Sequence, residues 1–357
     1  MKNIILHDYF DSLEGGGKLT NILAHGLNMD IGYGFAKKNH PFIEGLTQHN
    51  LHSRSSIPLW KQFKLAKTFS SHIKFLKNYK TVVYSGFYTP LAINSHMSGT
   101  NILYCHTPPR FIYDQREFYL KRLPMPLRPL LQAFIDYLKP RYECAVTDMD
   151  VLIANSKNVS QRIRYYLGKR STVIYPPCDT KRFRWFGQEN YYLSMGRLDP
   201  LKRIDLIVQA FLKMPDKNLV ITSGGEELSR LKKLANQANN ITFTGWVDEQ
   251  KLTELVGNSI ATLYLAKDED FGMSPVESMA AGKPVIGAAE GGLLETVIPL
   301  KTGILVEPSV LTVCQAVSSM SSKMALSMRS DCEAQAQKFC TEIFLEKMRG
   351  QLPVVSY

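Results

Sequence analysis

Long apolar runs, paired cysteines and a dinucleotide fingerprint are all missing from this chain of 357 residues. Without about eighteen consecutive apolar residues, a membrane-spanning helix is not expected. The apolar run at residues 3–6 is too short for a signal peptide and fits a first strand better. The six cysteines form no C-x-x-C pair, which favours reduced thiols in a cytoplasmic protein. No G-x-G-x-x-G motif occurs, which disfavours a dehydrogenase.

Acidic residues are scarce in the first half of the chain. Residues 1–180 carry 23 Lys and Arg against 12 Asp and Glu, a net charge of +11, whereas residues 181–357 carry 20 of each. Such a basic half predicts a docking face for an acidic partner, either nucleic acid or an anionic membrane. Nucleic-acid binding is the less favoured of the two, because no helix-turn-helix or aromatic-glycine RNA motif is present.

Short apolar runs alternate with helical stretches along the chain, which predicts an α/β protein with parallel sheets. Pro176 and Pro177 interrupt this alternation. We therefore predict two doubly wound, Rossmann-like domains, residues 1–180 and 181–340, that face each other across a cleft where ligands bind. A C-terminal helix at about 340–357 is expected to pack back on the first domain. The predicted strands are 3–6, 81–85, 101–105, 151–155, 171–176, 191–195, 219–223, 241–245, 261–266, 284–288 and 303–306.

The stretch DEDFGMSPVE (268–277) predicts a helix start, because Ser274 and Glu277 have the spacing of a capping box. A helix N-terminus also binds anions, and Gly272 lets backbone amides approach a ligand. If a sugar-bearing diphosphate binds there, Glu269 and Glu277 can each accept hydrogen bonds from a sugar diol. The alternatives are a purely structural cap at Glu277 and a D-x-D metal motif at 268–270. The helix start behind the acidic residues favours the metal-free interpretation.

Candidate cations and a candidate histidine follow other predicted strands. Arg197 and Lys202, in MGRLDPLKR (195–203), could neutralise a departing diphosphate without a metal; the alternative is two solvated loop cations. His106 comes directly after strand 101–105, where site residues lie, although a lone histidine is often only structural. The glycines of EGGGK (14–18) allow close approach of a ligand, just before a helix expected from about Lys18.

Taken together, these segments resemble the retaining glycosyltransferases of family 4, which have the GT-B fold. The pattern is most similar to the bacterial mannosyltransferases that build O-antigen and other surface polysaccharides. The resembling segments are GRLDPLKR (196–203), FTGWV (243–247), EDFGMSPVE (269–277), AAGKPVIG (280–287), GGLLETV (291–297), KTGILV (301–306), LHDYF (6–10), YCHTPPRFIYD (104–114) and ANSKNV (154–159).

This resemblance implies a hexosyltransferase that moves a hexose, expected to be mannose from GDP-mannose, to a lipid-linked or other saccharide acceptor. It implies no metal and no other cofactor. Two alternatives stay open, namely a UDP-sugar-dependent transferase and a nucleotide-sugar epimerase on the same fold. Lys18 and Leu19 depart from the family pattern, which usually has an acidic residue after these glycines.

The resemblance also implies a role for each candidate residue. Glu269 lies by the donor sugar and Glu277 binds the ribose, while Arg197 and Lys202 hold the diphosphate and His106 lies at the transfer site. The remaining assignments are backbone amides from Phe271, Gly272 and Met273, cover of the diphosphate by Gly16 and Gly17, contact with the base by Trp246 and Val247, and an acceptor side with Arg110 and Asp114.

Residues 57–80 combine aromatic side chains with six lysines. One helical stripe of Leu65, Phe69, Ile73 and Leu76 is predicted to be core. Outside that stripe, Trp60, Phe63 and Phe75 predict a basic aromatic face that lies on the inner leaflet of the cytoplasmic membrane, where lipid-linked acceptors are found. A solvated charged face is the alternative. A second basic region contains Arg110, Arg116, Lys121, Arg122 and Arg128.

Overall fold

The computed structural model describes residues 2–11, 15–37, 40, 43–57 and 59–353. The chain divides into two compact units, the first formed by Met1–Tyr175 with Phe344–Tyr357 and the second by Pro176–Ile343. The chain thus leaves the first unit directly before the Pro176–Pro177 pair, whereas the sequence predicts the boundary at residue 180.

The first unit is built on a seven-stranded parallel sheet in its described residues, with strand order β3-β2-β1-β4-β5-β6-β7. The strands are β1 (Lys2–His7), β2 (Asp30–Tyr33), β3 (Gln48–Asn50), β4 (Tyr79–Ser85), β5 (Thr100–Cys105), β6 (Val151–Ala154) and β7 (Thr172–Val173). The strand order reverses at β1, which lies between β2 and β4. Ligands of doubly wound sheets bind at such a reversal, outside the carboxyl ends of the strands.

Helices cover both faces of this sheet, as the alternation of its core residues shows. Ile4 and Leu6 of β1 pack in one hydrophobic cluster and Ile5 packs in the other, because successive side chains of a strand point to opposite faces. The α-helices are α1 (Gly15–Gly26), α2 (Trp60–Ser70), α3 (Arg116–Arg122), α4 (Arg128–Thr147) and α5 (Lys157–Leu167), and short 3-10 helices occupy Lys74–Asn78, Thr89–Ser95 and Met125–Leu127.

The second unit repeats this design with a six-stranded parallel sheet in the order β10-β9-β8-β11-β12-β13. Its strands are β8 (Tyr192–Ser194), β9 (Leu219–Thr222), β10 (Ile241–Gly245), β11 (Thr262–Tyr264), β12 (Val285–Ala288) and β13 (Gly303–Val306). A second strand-order reversal therefore lies at β8, between β9 and β11. A 3-10 turn occupies Pro200–Lys202.

The α-helices of the second unit flank this sheet and lead back to the first unit. They are α6 (Ile204–Leu212), α7 (Leu228–Ala235), α8 (Glu249–Asn258), α9 (Met273–Ala280), α10 (Leu293–Thr296), α11 (Val310–Ser319), α12 (Ser322–Ser327) and α13 (Arg329–Gln337). The last helix, α14 (Thr341–Arg349), places Phe344 and Met348 in the core of the first unit, where Phe344 meets Tyr104 edge-on. Residues 354–357 of the predicted C-terminal helix lie outside the described residues.

Two short strands of the first unit were not predicted. β3 has the sequence QHN, with no apolar residue, and β2 is a four-residue strand that contains a glycine. Neither carries the apolar run that marks a buried strand. At residues 171–176 the predicted strand is too long, because only Thr172–Val173 form a strand.

The predicted core stripe of residues 57–80 is buried, but it does not belong to one helix. Leu65 and Phe69 lie in α2, which ends at Ser70, and Leu76 lies in the following 3-10 helix. The predicted aromatic face is wrong for Phe75, which stacks on His49 with ring centroids 4.1 Å apart, and for Phe63, which packs against the core. Trp60 is more than half exposed, and Pro58 lies outside the described residues.

Candidate functional site

Two loops of the second unit are joined beside the strand-order reversal at β8. They follow β8 (residues 195–203) and β11 (residues 265–272). The backbone N–H of Lys267 donates to the carbonyl of Leu201 at 2.6 Å, which ties the second loop to the first. A third loop, after β12, is tied to the second because Gly292 donates to the carbonyl of Glu269 at 2.7 Å. The candidate residues Arg197, Lys202 and Glu269 are thereby brought to one edge of the sheet.

Three side chains at this edge form a closed hydrogen-bonded triangle. The ammonium of Lys202 lies 2.6 Å from Glu269 Oε2 and 3.0 Å from the hydroxyl of Tyr264, which donates to the same carboxylate oxygen at 2.9 Å. Burial opposes a charge on Lys202, but Tyr264 and Glu269 outweigh it and raise the pKa of the lysine well above its usual value. The triangle therefore holds a permanent positive charge beside a carboxylate.

A second set of contacts fixes the backbone around this triangle. Asp199 accepts the N–H of Leu201 at 3.0 Å and caps the 3-10 turn, and Arg197 lies 3.2 Å from the same carboxylate with its side chain 58% exposed. Glu290 accepts the N–H of Asp268 at 3.0 Å and pairs with Arg203 at 2.5 Å. Glu290 was not singled out from the sequence, because its loop follows a strand that carries no other candidate residue.

Helix α9 begins two residues earlier than predicted, at Met273 instead of Pro275. Gly272 is the N-cap, in a left-handed conformation with φ 90°, and the helix begins at Met273. Ser274 is therefore the second helical residue and Glu277 the fifth, so a capping box does not account for Glu277. Gly272 ends the preceding loop earlier than Ser274 would, since a left-handed residue without Cβ reverses the chain at little cost.

Two further glycines let the loop after β12 pack on the loop that carries Glu269. Gly291 has φ 60°, and a Cβ there would lie 2.5 Å from the backbone oxygen of Glu269. A Cβ at Gly292 would lie 2.4 Å from Cα of Phe271. The ring of Phe271 is itself buried against Phe339, so this residue offers its backbone rather than its side chain.

The two residues that are expected to contact the nucleobase, Trp246 and Val247, lie directly after β10. Trp246 is 73% exposed and Val247 is half-buried. The indole Nε1 of Trp246 lies against Gly224, where a Cβ would be 2.4 Å from it. Because the carbonyl of Gly224 accepts the N–H of Leu198, Trp246 belongs to the same edge as the loop that carries Arg197.

The first unit contains a cavity of about 650 Å³ at its own strand-order reversal. Polar and small residues from the ends of β1 and β5 and from the start of α1 line it: His7, Asp8, Gly16, Gly17, His106 and Thr107. Apolar side chains make up another part of the lining: Leu59, Leu65, Phe87, Phe111, Leu131 and Phe134. Lys61 and Arg122 add two cations.

His106 is held in this cavity by a chain of hydrogen bonds. Its Nε2 lies 2.9 Å from the hydroxyl of Ser85, which lies 3.0 Å from the hydroxyl of Thr20. Burial, together with the neighbouring His7, lowers the pKa of His106 to about 3, and burial lowers the pKa of His7 to about 4. Both rings are therefore neutral at pH 7 and suit hydrogen bonding rather than charge neutralisation.

The structure places the predicted glycines directly beside His106. A Cβ at Gly16 would lie 3.5 Å from His7 and 3.8 Å from His106. Helix α1 begins at Gly15 rather than near Lys18, so Gly16 and Gly17 form its first turn instead of a preceding loop. Glu14 lies outside the described residues.

Asp8 is a buried residue of this cavity to which the sequence motifs assign no role. Its carboxylate accepts the backbone N–H groups of Phe87, Tyr88 and Thr89 at 2.6, 2.9 and 3.1 Å. Burial raises the pKa of Asp8 to about 6 against these donors, so the group is still ionised at pH 7. Its position directly after the first strand was the signal that could have identified it.

The two acceptor-side candidates, Arg110 and Asp114, form an ion pair at 2.6 Å, with side chains 13% and 19% exposed. Neither of them lines the cavity. Within the described parts of the chain, no three His, Cys, Asp or Glu side chains are grouped so that they could hold a metal ion. The same parts contain no helix that is both long and apolar enough to cross a bilayer.

Comparison with known proteins relates the second unit to one family. Residues 179–339 match the family model of glycosyl transferases group 1. The chain is 26% identical over 257 residues to alpha-1,3/1,6-mannosyltransferase ALG2 of Dictyostelium discoideum, with 58% of this chain and 59% of that protein covered. It is 32% identical over 201 residues to the GDP-mannose-dependent alpha-(1-6)-phosphatidylinositol monomannoside mannosyltransferase of Mycobacterium tuberculosis, with 48% and 52% covered. The chain thus spans less than two thirds of the length of either relative.

Among solved structures, Anabaena HepE in complex with UDP and glucose is similar over 98% of both chains, with a TM-score of 0.76 and 15% identity. At this identity the likeness concerns the fold alone. It confirms the predicted GT-B class, with two Rossmann-like parallel-sheet domains. The match of residues 179–339 to the family model agrees with the glycosyltransferase relationship that the sequence motifs predicted.

Proposed function

We propose that this protein is a retaining mannosyltransferase that uses GDP-mannose as donor and a lipid-linked saccharide as acceptor. The observation that carries the proposal is the triangle of Lys202, Glu269 and Tyr264, which sets a cation and a carboxylate side by side at the strand-order reversal of the second unit. The choice of mannose follows the names of both relatives, and the choice of GDP follows the name of the Mycobacterium tuberculosis mannosyltransferase alone.

In this proposal the diphosphate binds at the N-terminus of α9. The first backbone N–H groups of a helix have no partner within the helix, and the helix dipole adds positive charge there. Lys202 and the exposed Arg197 would supply the neutralising charge, with Arg197 leaving Asp199 to reach a phosphate. Carboxylates suit sugar hydroxyls and repel phosphate, so Glu269 would bind the hexose and Glu277 the ribose.

The proposed transfer keeps the configuration of the sugar through attack on the face that the diphosphate leaves. The acceptor hydroxyl oxygen bonds to the anomeric carbon while the bond from that carbon to the phosphate oxygen breaks. The acceptor proton passes to the departing phosphate oxygen, so no side chain has to act as base. The protein then mainly has to stabilise the charge that grows on the diphosphate.

The donor is tested by thermal unfolding with GDP, UDP, ADP and their sugar conjugates. A ligand at one hundred times its Kd adds about 2.7 kcal/mol to the free energy of unfolding. GDP and GDP-mannose are therefore expected to raise the Tm clearly more than UDP and ADP do. A shift with UDP compounds alone would favour the UDP-sugar alternative. Conversion of the nucleotide sugar without an acceptor would favour the epimerase.

Metal independence is tested in the same reaction. Because the proposed charges on the diphosphate are balanced by Lys202 and Arg197, turnover is expected to persist in EDTA. Activity that disappears with EDTA and returns with manganese contradicts this part of the proposal.

For the acceptor, we propose that the first unit lies on an anionic membrane through one surface, formed by α3, the 3-10 helix Met125–Leu127 and the start of α4. None of the α3 side chains is buried, and Met125 and Leu130 are 75% and 58% exposed. The cations Arg116, Lys121, Arg122 and Arg128 lie in the same segment. Exposed apolar side chains among cations suit the interface of an anionic bilayer, the location of lipid-linked acceptors.

Liposome flotation tests this membrane surface. The protein is expected to float with vesicles that contain phosphatidylglycerol and to remain at the bottom with phosphatidylcholine alone. The double variant Met125→Asp and Leu130→Asp is expected to lose flotation, because two carboxylates would enter the interface. Leu311→Asp, an exposed leucine of the second unit, is the matched control. Equal recovery with both lipids, or flotation of the double variant, contradicts the proposal.

A further inference from the structure

We infer that Tyr264 is a positioning residue for the donor, because its hydroxyl fixes Lys202 and Glu269 relative to each other. This inference rests on the proposed function and deepens it. Tyr264 is the last residue of β11 and is 8% exposed, so its ring is set by the sheet and by the packing around it. Its hydroxyl group touches both partners, at 3.0 Å from Lys202 Nζ and 2.9 Å from Glu269 Oε2.

The hydroxyl accounts for the orientation of both charged groups. An ammonium has three N–H donors, and the triangle directs two of them at Tyr264 and Glu269. The direction of the third is then fixed by tetrahedral geometry, which pre-orients it for a phosphate oxygen. On the carboxylate, Oε2 receives both bonds of the triangle, which sets the plane in which Oε1 meets a sugar hydroxyl.

Tyr264 can hold Lys202 and Glu269 in place because its hydroxyl remains protonated. Burial raises the pKa of Tyr264 and the charge of Glu269 raises it further, so the phenol still donates to the carboxylate at working pH. When a sugar hydroxyl or a phosphate competes for Glu269 or Lys202, the other member of the pair keeps its bond to Tyr264. The lysine alone could not provide this, since its long side chain has four rotatable bonds.

Tyr264→Phe removes the hydroxyl and leaves the ring that packs beside Gly196. We expect kcat to fall about tenfold to a hundredfold, as for a lost hydrogen bond to a charged group, with KM for the donor changed much less. A second readout separates positioning from general damage. The wild type is expected to bind GDP-mannose more tightly than GDP, and this ratio is expected to approach one in the variant because Glu269 no longer meets the sugar correctly.

Tyr192→Phe is the matched control. Tyr192 is a buried tyrosine of the adjacent strand β8, and its hydroxyl donates to the carbonyls of Val317 and Met320 at 3.2 and 2.8 Å, far from the triangle in sequence. Like Tyr264→Phe, the variant Tyr192→Phe loses one buried hydroxyl. It is therefore expected to lower thermal stability while kcat stays within about twofold of wild type.

Wild-type kcat and an unchanged affinity ratio in Tyr264→Phe would overturn the inference. So would equal losses of kcat in the two variants, which would mean that any buried hydroxyl matters. If GDP-mannose gives no turnover with the wild type, the proposed donor has failed, and the comparison is repeated with UDP-glucose against UDP. The two failures are therefore distinguishable, because the inference concerns the ratio between variants and not the identity of the donor.

Discussion

Replacing Lys202 with alanine is expected to lower kcat by about a hundredfold or more while the protein stays folded. The removed ammonium lies 2.6 Å from Glu269, and in the proposed reaction it stabilises the departing diphosphate. Loss of one preorganised donor from such a site costs roughly 3 kcal/mol of transition-state stabilisation. Initial rates with GDP-mannose and a saccharide acceptor measure this effect, and circular dichroism checks the fold.

Lys233→Ala provides the matched control for this experiment. Lys233 lies in the last turn of α7, in the same unit, and is exposed, so its loss removes an equal charge without touching the triangle. Its rate is expected to stay within about twofold of wild type, since an isolated surface charge contributes little. Near wild-type turnover in Lys202→Ala would reject the role of this lysine.

Replacing Asp8 with alanine is expected to destabilise the first unit by about 3 kcal/mol or more. Three backbone N–H groups, from Phe87, Tyr88 and Thr89, would lose their acceptor in a buried position. Each buried donor without a partner costs about 1–3 kcal/mol. These donors lie between the end of β4 at Ser85 and the 3-10 helix that begins at Thr89, so the loss is expected in the unfolding of the first unit.

Urea unfolding followed by fluorescence can measure the Asp8 effect in the first unit alone. Trp60 is the single tryptophan of residues 1–175 and 344–357, so a background with Trp185→Phe and Trp246→Phe reports on that unit. Asp136→Ala on the exposed face of α4 is the control, with an expected change within about 0.5 kcal/mol. An equal free energy of unfolding for Asp8→Ala and wild type contradicts the prediction.

The long buried strands were predictable because each is a continuous apolar run. β1, β4 and β5 lie between two helical layers, so both faces of each strand must be apolar, and that requirement is visible in the sequence. β3 is held by its backbone bonds to β2 and carries no such signal. The start of α9 was placed wrongly, because a capping box and a left-handed glycine compete within three residues and only the packed loop decides between them.

Only some residues of the candidate site could be predicted from the sequence. Lys202 and Glu269 were predicted from their positions after strands, and the structure brings them into direct contact. Asp8 was missed although it directly follows β1. Tyr264 and Glu290 were missed because their partners Lys202 and Asp268 lie 62 and 22 residues away in the chain. A pattern within one segment contains no information on such partners.

By itself, the amino-acid sequence determined the α/β class, the two parallel-sheet units and the glycosyltransferase relationship, because these depend on local apolar runs and on motifs within single loops. The tertiary structure alone decided that Tyr264 joins Lys202 to Glu269 and that Ser85 and Thr20 support His106. The physical reason is that the sheet order, with β11 beside β8 and β4 beside β1 and β5, brings distant strand ends together. Hydrogen bonds between those ends depend on distances of about 3 Å, and only the packed sheet sets such distances.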